Sequence, residues 1–264
     1  MRSTDARFAV RPPVRLRRDR LSEREIERIR RERREPRITQ WDYLHLSGLK
    51  RGITSSVRLL SAEGPVLDLF CGTKPYLELI PWRPFWGLDL DVHFGRADVL
   101  GALPLPFSDG AFGVVFCSQA LYLVDDPIRT VQEIARVLKP GGHVIVTIPH
   151  LFSAEGWLER RWTREDLGIL FGAWDEVRIA GVDGPGAALA FFLGRLATRA
   201  ARRWRVVRLP FTAGIVVLNS SCRVLDVLTT PLHRRWPHSL MLVARRPPMQ
   251  EIGGSGRERT TART

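Results

Sequence analysis

Apolar runs set off by glycine, proline and charge recur through the middle of the chain, at Val66–Phe70, Phe85–Leu90, Gly113–Cys117 and His143–Pro149. Such runs predict strands buried on both faces, numbered one, two, four and five, with a short third strand near Ala97–Leu100. Between strands four and five the period changes. Pro127 opens a helix, Val131, Ile134, Ala135 and Leu138 share its inward stripe, and Pro140-Gly141-Gly142 stops it. A helix over Thr163–Phe171, a strand over Trp174–Val182 and a last strand over Ser239–Arg245 follow. Ahead of strand one, Ser22 and Glu25 form a capping box, Leu21 and Ile26 a hydrophobic staple, and Pro36 ends a short charged helix. A second helix at about residues 40–60 carries an apolar stripe that includes Trp41, Leu44, Leu49, Ile53 and Val57. Alternating strands and helices predict a doubly wound, Rossmann-like α/β sheet, mainly parallel, with a ligand crevice at the carboxyl ends of its strands.

With 264 residues the chain has room for one large domain and its decorations. The expected division is a basic, partly disordered arm at 1–37, a catalytic domain at 38–246 and a disordered tail at 247–264. Charge sharpens this division. The net +13 is spread as +7 over residues 1–37, −5 over 38–185 and +11 over 186–264. An acidic core speaks against nucleic acid in the main cleft, and basic arms without interleaved aromatics lack the means to stack bases. Cys71, Cys117 and Cys222 have neither paired nor metal-ligand spacing, and His93, His143, His233 and His238 stand apart from cysteines and acids, so no disulfide framework and no metal site is expected. No apolar leader and no uncharged apolar stretch of roughly 18 residues is present, which leads to the expectation of a cytoplasmic protein.

The chemistry is concentrated where strand one ends, in Asp68-Leu69-Phe70-Cys71-Gly72-Thr73-Lys74-Pro75-Tyr76. Gly72 is the only glycine between Gly64 and Gly87. A dinucleotide's pyrophosphate asks for several glycines at such a turn, whereas S-adenosylmethionine carries no phosphate and tolerates fewer. Taken alone, the loop is also compatible with a tight turn in another α/β protein. Strand two ends in Asp89, 21 positions beyond Asp68, where a carboxylate can accept hydrogen bonds from both ribose hydroxyls of an adenosine. Asp91 shares that strand face and is the reserve candidate.

With these residues in place, the sequence resembles the class I S-adenosylmethionine-dependent methyltransferases of the small-molecule, methyltransferase type 11-like kind. The resemblance covers residues 64–182 and rests on Leu105-Pro106-Phe107-Ser108-Asp109-Gly110-Ala111-Phe112, Val115-Phe116-Cys117-Ser118-Gln119-Ala120-Leu121 and Glu133-Ile134-Ala135-Arg136-Val137-Leu138-Lys139-Pro140-Gly141-Gly142, in that order. It implies a seven-stranded sheet whose last, antiparallel strand is Ser239–Arg245, and S-adenosyl-L-methionine as cofactor. It further implies that Asp68, Phe70 and Gly72 line the methionine end, Asp89 holds the ribose, Asp98 and Val99 lie near the adenine, and Ser118 and Gln119 stand beside the cofactor. The sequence departs from the family's pattern at Phe70 and Lys74, where glycines are usual, at Gly113, and in the loop after strand five.

Methyl transfer from a sulfonium is an in-line displacement that calls for alignment and exclusion of water. A hydroxyl acceptor would also call for a base, for which His150, just past strand five, is the first candidate, followed by Tyr122 and His45. The acceptor expected is a small molecule, a sugar or a lipid-like compound. A catalytically silent binding protein on the same fold and an RNA methyltransferase using the basic arms remain as alternatives. Residues 185–238 form a helical insertion before the last strand. In it Leu189, Phe192, Leu193, Leu196 and Ala200 share one stripe of a helix over Gly186–Arg208, and Arg195, Arg199, Arg202 and Arg203 share an adjoining one. Two readings of the insertion stand: a lid packed on its own domain, or an element making peripheral contact with an anionic membrane.

Overall fold

The computed structural model describes residues 21–90, 96–151, 161–204, 208–230 and 236–248. Asp91, His93, His233, residues 1–20 of the arm, 249–264 of the tail and most of the loop after strand five lie outside the described residues. Seven strands, β1 (Val66–Leu69), β2 (Phe85–Asp89), β3 (Val99–Leu100), β4 (Phe112–Ser118), β5 (Leu138–Pro149), β6 (Asp175–Gly181) and β7 (Ser239–Arg245), form one sheet in the order β3-β2-β1-β4-β5-β7-β6. Strands β1 to β5 pair in parallel, and β7 runs antiparallel between β5 and β6.

Among the described residues six α-helices accompany the sheet: α1 (Glu23–Arg34), α2 (Tyr43–Leu59), α3 (Pro127–Val137), α4 (Arg164–Leu170), α5 (Pro185–Trp204) and α6 (Arg208–Leu228). The strands' two-residue period sorts the core. Val66, Val114, Phe116, Ile145 and Met241 point to one face and bury Ile53 and Val57 of α2 together with Tyr76 and Ile80. Leu67, Leu69, Val115, Cys117, Val144, Val146 and Leu242 point to the other and bury Val131, Ile134 and Val137 of α3 and Leu167 of α4. The capping box of α1 forms as the sequence suggests, with the Ser22 hydroxyl accepting from Glu25 N–H and the Glu25 carboxylate accepting from Ser22 N–H. Ile26 is fully buried, and Arg34 reaches Glu78, so α1 lies against the body.

Two expectations change. α3 ends at Val137 and Leu138 already opens β5, so Leu138 is not part of the helix's inward stripe and Pro140-Gly141-Gly142 lies within the strand and does not stop the helix. The pairing with β4 skips from Phe112↔Leu138 to Val114↔His143 across a bulge. Gly141, at φ +75°, donates to the Arg246 carbonyl, and Arg246 N–H donates to Gly142, which carries the ladder through the bulge. Beside it, Gly113 runs so close to the preceding turn that a Cβ there would stand 1.7 Å from the Glu63 carbonyl oxygen. In α5, the apolar stripe of Leu189, Phe192, Leu193, Leu196 and Ala200 faces outward. The buried face is made of Gly186, Ala187, Ala190, Phe191 and Gly194, small residues for the most part, and at Gly194 a Cβ would sit 2.8 Å from the Trp41 carbonyl oxygen.

Candidate functional site

The segment after β1 folds by three left-handed residues in alternation, Phe70 at φ 59°, Gly72 at 52° and Lys74 at 51°. Only Gly72 adopts this conformation without a steric cost, and a Cβ built on it would meet nothing within 4 Å. Cys71 N–H donates to the Leu88 carbonyl, which keeps the loop tied to β2. The register Asp68↔Gly87 places Asp68, Gly87 and Asp89 on one sheet face.

Asp89 terminates β2, and its carboxylate takes Gly72 N–H on one oxygen and Leu90 N–H on the other, each at 2.8 Å. Asp68 is buried, and its carboxyl is held well above the usual range, first by desolvation, with the Asp89 and Asp98 charges adding to the effect and Lys74 opposing it. Lys74 answers this acidic cluster. Its side chain crosses the face of β2 over Gly87, where a Cβ would collide with Lys74 Cε at 2.1 Å, and its ammonium meets Asp98 Oδ2 at 2.5 Å. The same Asp98 oxygen accepts Gly87 N–H at 2.7 Å, so Asp98 is engaged at the base of the loop, with Val99 following it into β3.

Ser118 and Gln119 leave β4 beside Thr147 of β5. The Ser118 and Thr147 hydroxyls lie 2.9 Å apart, and Gln119 N–H donates to the Thr147 carbonyl. The family-like segment Leu105–Phe112 is clamped against α3, which carries Glu133 and Arg136. Arg136 donates to the Phe107 and Leu105 carbonyls and to Asp109, while Glu133 accepts Leu105 N–H. Phe70 fills space: its ring packs against the α3 side of the core, where Phe70, Leu90, Leu103, Val124 and Thr130 leave a cavity of only about 20 Å³. A groove of about 700 Å³ lies between α3 and α4, around Ile128, Ala135, Trp162 and Ile169.

His150 follows β5 at the carboxyl edge of the sheet. Its Nδ1 lies 2.9 Å from the Trp162 carbonyl, an acceptor only, so Nδ1 is the donor in this contact and Nε2 is the nitrogen left for others. Tyr122 packs on the same core cluster, partly buried. Sequence spacing gave no hint of the group next to His150. His45 of α2, Asp183 and His238 are buried together where β7 begins, with His45 Nδ1 3.6 Å from Asp183 Oδ2 and 3.2 Å from the Ser239 hydroxyl. Neither ring nitrogen of His238 has a hydrogen-bond partner among the described residues, and its ring stacks 4.6 Å from Phe191 at the root of α5. No cluster able to hold a metal ion occurs among the described residues.

Burial pushes His45 down to about 3 and His238 to about 4, and lifts Asp183 to about 6, so the His45–Asp183 contact is a neutral imidazole beside a carboxyl group, not an ion pair. The two depressed imidazoles contribute stability that is complete above their unfolded value of 6.5 and is lost as pH falls toward their folded values. Asp183, with its raised value, works in the opposite sense and offsets part of the loss. Thermal unfolding is therefore expected to show the protein about 2–3 kcal/mol less stable at pH 5 than at pH 7. His238→Phe should shrink that difference, and a pH-independent melting temperature in the parent would refute it.

Residues 83–146 match the methyltransferase domain family. Over 57 residues, 22% of this chain, the sequence is 40% identical to the ubiquinone/menaquinone biosynthesis C-methyltransferase UbiE of Bdellovibrio bacteriovorus. Over 58 residues it is 34% identical to the tRNA U34 carboxymethyltransferase of Campylobacter curvus. The matched parts span 23% and 20% of those two proteins. Among solved structures, the [4+2]-cyclase SpnF aligns with a TM-score of 0.54 at 19% identity, covering 78% of this chain and 83% of that one.

Proposed function

We propose that the chain is a class I S-adenosylmethionine-dependent methyltransferase that transfers the methyl group of S-adenosyl-L-methionine to a small-molecule, sugar or lipid-like acceptor. The observation that carries this reading is the joining of Asp89 to Gly72 N–H, which sets a carboxylate and an unhindered left-handed glycine side by side at the carboxyl ends of β1 and β2. The residues present fit the cofactor. Asp89 would accept the ribose hydroxyls, Gly72 would admit the methionine portion, and Asp68, Asp98, Val99, Ser118 and Gln119 would frame the rest. When bound, the cofactor supplies an electrophilic methyl group on a sulfonium. The chain supplies alignment and exclusion of water, and His150 Nε2 is oriented to take a proton from an acceptor hydroxyl, with Tyr122 behind it.

Isothermal titration calorimetry with S-adenosylmethionine and its demethylated product tests the proposal. Asp89→Ala is expected to weaken binding by about 1–3 kcal/mol, because the hydroxyls lose a charged acceptor. An unchanged dissociation constant in Asp89→Ala together with a loss in Asp91→Ala would move the ribose to the second carboxylate. No binding by the parent protein would end the methyltransferase reading.

Phe70 favours a second reading. A phenyl ring stands where the pattern of the family it resembles has glycine, and the similarity to a [4+2]-cyclase means that this fold need not imply methyl transfer. Under this reading the protein binds the cofactor without spending its methyl group. Calorimetric binding with no transfer of isotope-labelled methyl to any candidate acceptor would favour it.

A further inference from the structure

Helices α5 and α6 form an antiparallel hairpin between β6 and β7. Asp226, near the end of α6, accepts Gly186 N–H and Ala187 N–H at the start of α5 and so locks the hairpin's root. The hairpin is seated on the body by one stripe of each helix. From α6 these are Ile215, Asn219 and Cys222, and the buried Asn219 amide donates to the Ile38 and Gln40 carbonyls. The opposite stripes are apolar and exposed. Leu189, Phe192, Leu193 and Leu196 of α5 are 39–50% exposed, and Val217, Val224, Val227 and Leu228 of α6 are 59–74% exposed. The stretch Pro210–Leu228 is long and apolar enough to cross a bilayer, yet the Asn219 bonds hold it to the body, and only 17% of its most apolar window is buried.

Leaving so many large apolar side chains in water is costly unless a partner covers them. The charge around them identifies the partner. Between Gly184 and Leu225 the sequence carries seven arginines and no acidic residue, and Arg199, Arg203 and Arg223 are exposed beside the apolar stripes. A second copy of the chain meeting this face across a twofold axis would set two arginine-bearing surfaces against each other. An anionic bilayer instead offers an apolar layer beneath a negative one. We propose that the α5–α6 hairpin is a peripheral docking element for an anionic lipid surface, with its outward apolar stripes entering the interface and its arginines at the level of the headgroups. The inference rests on the hairpin's surface and is independent of the proposed catalysis.

Co-sedimentation of the full chain with phosphatidylcholine vesicles, with and without phosphatidylglycerol, tests it at low salt. The parent protein should pellet with the anionic vesicles and stay largely in solution with the neutral ones. Leu193→Ser with Leu196→Ser, and separately Arg199→Glu with Arg203→Glu, should each lower vesicle affinity by about tenfold or more. Circular dichroism and calorimetry with S-adenosylmethionine on the same preparations establish that the variants are folded and report on the methyltransferase reading separately. Absence of pelleting with anionic vesicles, or pelleting indifferent to both pairs of changes, would overturn the proposal. So would a dimer in sedimentation velocity, formed without lipid and dissolved by the leucine changes, and so would recovery only in alkali-resistant membranes, which would make α6 a spanning helix.

Discussion

Gly72→Val is expected to fold and yet to bind no S-adenosylmethionine at concentrations where the parent protein saturates. Folding survives because a Cβ at this position meets no atom of the protein within 4 Å. The left-handed backbone at φ +52° adds about 1–2 kcal/mol of strain for a β-branched residue, which a domain of this size can absorb. Binding does not survive. The open space over Gly72 is where the proposed cofactor would approach the backbone, and a valine side chain fills it next to the N–H that holds Asp89. A loss of more than about 100-fold, close to 3 kcal/mol, is expected by calorimetry, with Gly72→Ala falling in between. Binding of ordinary strength by a normally folded Gly72→Val would take the β1 loop out of the site and leave Asp89 without its proposed role.

Gly113→Ala should damage the fold itself. The added methyl group would stand 1.7 Å from the Glu63 carbonyl oxygen and 2.9 Å from its carbon, and both are backbone atoms with no flexible end to swing aside. Neither partner has room to retreat. Gly113 N–H and Val114 N–H both donate to the Pro65 carbonyl, and a Cβ at Gly142 would come within 3.0 Å of the Gly113 oxygen from the other side. A destabilisation above about 4 kcal/mol is expected, read as a fall in melting temperature of about 10 °C or more, or as failure to recover soluble protein. Gly110→Ala is the control. At φ +66° it is also left-handed, but its nearest neighbour is 3.9 Å away, so it should cost only about 1 kcal/mol. A Gly113→Ala variant melting like the parent would mean that the chain does not pass this close to Glu63.

Gly113 also shows what a sequence can and cannot convey. As a letter it is only a departure from the family's usual aspartate, whereas in the fold it is the one residue type that fits beneath the Glu63 turn. Strand positions were legible because burial on both faces writes itself as uninterrupted apolar runs, and the mainly parallel sheet followed from their alternation with helices. The segments around Leu105–Phe112 and Glu133–Gly142 were recognisable as a pair, since Arg136 and Glu133 hold the first against the second. Contacts between distant stretches were not legible. Nothing near Lys74 announces that its ammonium will meet Asp98, and His45, Asp183 and His238 come from separate stretches that only the packing of α2 and α5 at the start of β7 brings together. The stripe of α5 was identified by its period, but period alone does not say which side is in. Gly186, Ala187, Ala190 and Gly194 form a second, smaller stripe that permits closer approach, and close approach decided the orientation.

The hairpin's two ends enter and leave the sheet at neighbouring points. Gly181, the last residue of β6, lies opposite Leu240 at the start of β7, and Asp183 accepts Ser239 N–H across the gap. In outline β6 and β7 are therefore an ordinary β-hairpin whose connecting turn has been replaced by residues 182–238, which include the helices α5 and α6. Their pairing is set by main-chain bonds below the opening and does not depend on what is spliced in above it. Such an arrangement makes the insertion an exchangeable cassette: it can be lengthened, shortened or given a different outer face over evolutionary time while all seven strands keep their register, so that the surface it presents and the site at the strand ends are free to change separately.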